Sequence, residues 1–141
     1  MNIKEYIKTI CKLLKIKAPK ISDDVSKLMT KTMLAAYVSS EDTIYINLTA
    51  QPFDLLFAIA HELRHKWQLK TNEQLYMSDY KTAVQCKNLN EYNLQLAEVD
   101  ANAFGKVVMN EMFGVNPLFQ GMPRQVVKAV EEQAEKIICS L

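Results

Sequence analysis

The sequence predicts an α+β fold, mostly helical with a small β-sheet or hairpin, in a single domain over residues 1–141. Three observations predict it. Apolar residues recur at helical spacing near both ends of the chain and through its middle. One short segment, "TIYINL", alternates with a period of two. The composition, 49% hydrophobic and 23% charged in 141 residues, is that of an ordinary globular chain long enough to bury one core.

The elements follow in order. Residues 3–16 place Ile3, Tyr6, Ile7, Ile10, Leu13 and Leu14 on one side of a helix and lysines on the other. "APKISDD" reads as a break, because Pro19 disfavours helix at Ala18, and Ser22 is suited to cap a short helix after it. "MLAAYVSSEDTIYINL" reads as a β-hairpin turning at Ser39 to Asp42. In "TAQPFDLLFAIAHELRHKWQLKTN", Thr49 is placed to cap a helix, Pro52 suits its first turn and Asp54 its positive end. The first half of that helix is apolar nearly all round, which marks it as central. Its charged later turns are expected to emerge into solvent near Arg64 and Lys66. Residues 72–89 read as loop with a helical piece. A long helix is expected from Asn90 to Phe113, stopped by Gly114, and a final one from Pro123 with Val126, Val127, Val130, Ala134, Ile137, Ile138 and Leu141 on one side.

Composition also excludes function classes. A net charge of +1 leaves no basic stripe for nucleic acid. The three glycines, Gly105, Gly114 and Gly121, build no phosphate-binding loop. Cys11, Cys86 and Cys139 form no CxxC pair and no disulfide framework. No stretch has the apolar length of a membrane span or of a secretory leader, so no membrane partner and a cytoplasmic location are expected.

The chemistry concentrates in "AIAHELRHKWQ", which holds both histidines of the chain. Residues four apart share a helix face, so His61 and His65 can offer two imidazole nitrogens to one ion. Glu62, one step round, is placed as a general base that takes no coordination site. Polar groups in so apolar a helix would be costly without partners. A catalytic zinc takes three protein ligands and keeps a position for water. No third histidine exists, and Gln68 and Thr71 stand where an extended metzincin motif needs glycine and histidine. The third ligand is therefore a carboxylate or a thiolate. Glu98, in the small and apolar setting of "QLAEVDANAFGKVV", is the best candidate. Asn102, four residues on, can hydrogen-bond Glu98 or a ligating histidine. Ala101 and Gly105 would let the two helices approach closely.

The order "TIYIN", then "AIAHELRH", then "EVDANAFG" resembles the ImmA/IrrE-type zinc metallopeptidases, which belong with the gluzincins. The resemblance covers roughly residues 43–108. It implies a zincin-like fold with the small sheet beside an active-site helix and a glutamate helix. It also implies Zn2+ held by His61, His65 and Glu98, Glu62 as the catalytic base for a zinc-activated water, and Asn102 supporting a ligand histidine. The strand at Thr43–Asn47 would line the cleft and pair with an extended protein or peptide substrate. Tyr76, Tyr80, Tyr92 and Arg64 are the candidates for stabilising the oxyanion. Arg64 stands where many such proteins have glycine, and reads as a solvated surface arginine. The terminal helices lie outside the resemblance, and either is placed to cover the cleft. Two alternatives stand beside the peptidase: a zinc-binding pseudo-peptidase or latent protein acting as a regulatory module, and a metal-free helical domain.

Overall fold

A computed structural model describes residues 2–141. Among them are five α-helices and a three-stranded sheet, the α+β architecture that the patterning predicts. Helix α1 (Ile3–Leu14) starts where the Asn2 side chain accepts from the Lys4 and Glu5 N–H groups. It stops two residues early, at Lys15 in the left-handed conformation (φ 56°). Its buried face is Tyr6, Ile7, Ile10, Cys11 and Leu14, while Leu13 stays exposed.

The break after Pro19 holds a strand that the sequence does not announce. Strand β1 (Lys20–Ser22) pairs in parallel with β3 (Thr43–Ile46), and β2 (Ala35–Val38) pairs with β3 antiparallel, giving the order β1-β3-β2. The hairpin and its turn form as expected, closed by the Asp42 N–H on the Ser39 carbonyl. Ser22 caps no helix. The single 3-10 turn at Val25–Lys27 is capped by Asp24. Because β3 is the central strand, both its edges are used, and it cannot take on a further strand. The edge facing the long helix is β2, which corrects the expectation that Thr43–Asn47 would pair with substrate.

Helix α2 (Pro52–Met77) is capped by Gln51, whose side chain accepts from the Phe53 N–H. Thr49 is held instead by Asn47, which takes both its N–H and its hydroxyl. The charged later turns do not emerge into solvent: Arg64 is only 6% exposed and Lys66 8%. Each meets a carboxylate from another element, Asp100 for Arg64 and Asp42 for Lys66. A break at Asn72 (φ −160°, ψ 72°) interrupts the helix before its last turns.

The helix expected over 90–113 is two helices, α3 (Leu89–Asn93) and α4 (Leu96–Phe113). Gln95 between them is extended (ψ 141°), and its side-chain amide accepts from the Lys81 N–H and donates to the Lys81 carbonyl. Capturing that loop outweighs continuing the helix. Gly114 (φ 65°) ends α4 in the left-handed conformation, as predicted. Helix α5 (Arg124–Ser140) buries Val126, Val130, Ala134 and Ile137, but Ile138 and Leu141 are exposed, so its buried stripe is narrower than its sequence suggests. One core draws on α1, the sheet, α2, α4 and α5. No described helix is long and apolar enough to cross a membrane.

Candidate metal centre

Helices α2 and α4 pack along each other and bring His61, His65 and Glu98 together. His61 Nε2 lies 3.1 Å from His65 Nε2 and 3.3 Å from Glu98 Oε1, and His65 Nε2 lies 3.0 Å from Glu98 Oε2. The histidines are four apart on α2, which sets their rings on one face, nearly perpendicular to each other, and Glu98 meets them from the first turn of α4. These three groups could hold a metal ion. Two imidazoles and a carboxylate converging on one point is a donor set that a cation satisfies, since their lone pairs otherwise face one another. The histidine side chains keep 16% and 13% of their exposure, so solvent reaches them, whereas Glu98 is 2% exposed.

Asn102 Oδ1 sits 2.8 Å from His61 Nδ1, so the asparagine supports a histidine and not Glu98. The matching support for His65 was missed in the sequence: Gln68 Oε1 lies 2.9 Å from His65 Nδ1. Gln68 comes after a run of charged residues near a presumed wet end, and only its complete burial reveals its role. A further carboxylate was also missed. Asp100 is fully buried and accepts from Arg64 Nε (2.8 Å) and Nη2 (3.1 Å). The Arg64 guanidinium stacks 3.6 Å over the Trp67 ring and lies 5.0 Å from that of Phe104. Arg64 is thus a buried, paired cation and neither a solvated surface arginine nor a free oxyanion donor.

Of the tyrosines, Tyr80 reaches the centre, with its hydroxyl donating to Glu98 Oε2 at 2.9 Å, and the Tyr92 hydroxyl lies 3.2 Å from that of Tyr80. Tyr76 packs on Trp67. Burial, with the Glu98 charge beside it, pushes the Tyr80 phenol far up, so it remains a donor.

Glu62 is half-buried one position after His61. Burial raises its pKa, helped by the neighbouring Glu98 charge and opposed by His61, His65 and the backbone of Tyr37 in β2. Burial also works against charging His65, but the hydrogen bond and charge of Glu98, with Glu62, outweigh it and lift the imidazole to about 9. Glu98 feels the converse: burial raises it, and the two histidines bring it well below the carboxylate range.

Along the same face of α2, one turn before His61, an apolar cavity of about 320 Å³ opens between Phe57, Ala58, Leu34, Met109, Leu118 and Phe119. Phe57 joins it to the centre, its ring centroid 6.4 Å from that of His61. Gly105 lets this ring lie on α4, since a Cβ there would fall 2.8 Å from it. No protein-family model matches this chain, and no curated protein or solved structure matches it either.

Proposed function

We propose that the chain is a zinc-dependent metallopeptidase of the kind its motifs resemble. The observation that carries this reading is the triangle of His61, His65 and Glu98. A tetrahedral ion with bonds of about 2.0–2.1 Å spaces its ligands roughly 3.3 Å apart. The two imidazole nitrogens lie 3.1 Å apart, and each has its own Glu98 oxygen at a similar separation, Oε1 3.3 Å from His61 and Oε2 3.0 Å from His65, so the three groups stand at about the spacing such ligands take. Two imidazoles and one carboxylate are also a donor set that zinc hydrolases use with an open fourth position.

Zinc at these residues supplies Lewis acidity, which lowers the pKa of water and polarises a carbonyl. The remaining work falls to the chain. Glu62, beside the histidine pair and with its proton affinity raised by burial, takes the proton of the attacking water and passes it to the leaving amine. Tyr80 donates its hydroxyl to the oxygen that gains charge as the carbonyl is attacked.

Strand β2 offers its outer edge to the substrate. The Asn47 N–H bonds the Leu34 carbonyl, so in the alternating antiparallel pattern Leu34, Ala36 and Val38 face β3 while Ala35 and Tyr37 face outward, next to Glu62. An extended peptide pairs there through its backbone. Its apolar side chains have the Phe57 cavity to enter.

Metal analysis and cleavage of an unstructured protein test the reading. Glu62→Gln is expected to retain zinc and lose roughly 10²–10⁴ in rate, and Glu98→Ala to lose the metal. Cleavage by Glu62→Gln at the wild-type rate would exclude the mechanism. A latent form is the second reading, favoured by Tyr80 resting on Glu98. It expects Tyr80→Phe to raise activity where the catalytic role expects a fall.

A further inference from the structure

We infer that Gln68 is the positioning residue that fixes the tautomer of His65 for metal binding, and that the buried Arg64–Asp100 pair fixes Gln68. The inference rests on the metal-site reading above and extends it to a chain of residues that reaches the last helix.

The donor and acceptor inventory determines the chain without choice. Gln68 is fully buried, so its amide finds its partners inside the protein. One end of that amide lies 2.9 Å from the Ala97 carbonyl and 2.8 Å from Asp100 Oδ2. A carbonyl and a carboxylate are acceptors only, so this end must be the NH₂ group, and both its hydrogens are spent. The other end is then the oxygen, and it faces His65 Nδ1 at 2.9 Å. An oxygen with no hydrogen requires the hydrogen to sit on His65 Nδ1. When the ring is neutral, as metal binding requires, its lone pair is thereby left on Nε2, the atom that faces Glu98 and His61.

Asp100 is what makes the amide choose. It has no exposure and receives four N–H donors: Nε and Nη2 of Arg64, Nε2 of Gln68, and Nε2 of Gln133 from α5 at 2.9 Å. The guanidinium, held between the Trp67 ring and Asp100, keeps this carboxylate an acceptor. His61 has no such chain behind it. Its partner Asn102 is a single amide.

The test is zinc affinity, measured by competition with a chromophoric chelator, in wild type, Gln68→Met and Gln68→Asn. The melting temperature of each metal-free protein and the imidazole N–H signals of each zinc-loaded protein are recorded alongside. Gln68→Met keeps the volume and removes both roles. Gln68→Asn keeps an amide for Asp100 but is one methylene too short to reach His65 as well, and guards against a variant that fails to fold. Both are expected to weaken zinc binding by about 10–100-fold, and to shift or lose the protected His65 Nδ1–H signal of the wild-type protein. Affinity within twofold of wild type together with an unchanged His65 signal overturns the role of Gln68 while leaving the metal site standing. Absence of zinc binding in the wild-type protein overturns the metal site itself.

Discussion

Asp100 carries more of the structure than its place on an unremarked helix face suggests. Removing it as Asp100→Ala leaves the Arg64 guanidinium buried without its partner, and a broken buried pair costs about 3–5 kcal/mol. Denaturant melts should show that loss. Arg64→Met, which removes the charge while filling the space, should cost less from the cation's side, although it leaves Asp100 with only its glutamine donors. At Tyr80, loss of the hydroxyl is expected to lower the rate constant for cleavage while zinc content stays unchanged, because the phenol reaches the centre without being one of the three metal-ligating groups and its proposed work is on the oxygen that gains charge. Steady-state kinetics on metal-matched samples reads this directly. The site's first contacts were legible in the residues: a four-residue spacing fixes two histidines, and a carboxylate in an apolar helix needs a partner. Gln68 and Arg64 were illegible because a polar side chain near a charged stretch reads as wet until the elements it meets are in place.

At the scale of elements, the contact between α2 and α4 depends on one small residue. Gly105→Ala gains about 1 kcal/mol of helix propensity, but its Cβ meets the Phe57 ring at 2.8 Å, and overpacking costs about 1–3 kcal/mol. The substitution should therefore be neutral to destabilising in the native chain and stabilising in a Phe57→Leu background, an inversion that a double-mutant cycle measures. The hairpin is fastened differently. Asp42, in the left-handed conformation at its turn (φ 48°), accepts from Lys66 Nζ of α2 at 2.7 Å and from the Tyr37 hydroxyl at 2.8 Å. The Lys66 hydrogen bond, against some opposing burial, holds the Asp42 carboxyl below its usual range. A carboxyl depressed in the folded state stabilises above its unfolded pKa of about 3.9, and the contribution fades as pH falls through the folded value. Thermal melts of Asp42→Asn should accordingly show a flatter decline below about pH 4 than those of the wild-type protein. Hairpin, helices and the stop at Gly114 were readable from periodicity and turn residues. Strand β1 was not, since three residues carry no period, and neither was the split at Gln95, which has no proline or glycine and arises from a side chain reaching to Lys81.

For the whole molecule, the proposed ion joins two helices that belong to different parts of the chain, so binding energy becomes folding energy. Free zinc at one hundred times its dissociation constant should stabilise the native state by about 2.7 kcal/mol. The melting temperature is expected to rise with zinc in the wild-type protein and to stay flat in Glu98→Ala, as calorimetry would show. The outer edge of β2 has a consequence of another kind. The outward-facing backbone groups of Ala35 and Tyr37 that would receive a peptide in the proposed reading would equally template an identical strand, although the Tyr37 N–H already meets Glu62. This protein cannot blunt that edge with a proline or a covering loop without closing the place where a substrate would lie. It carries instead a strand of only four residues, short enough that self-association along it gains little. If β2 receives substrate as proposed, its open edge trades colloidal safety for access, and the protein's tolerance of high concentration should fall with every residue added to β2.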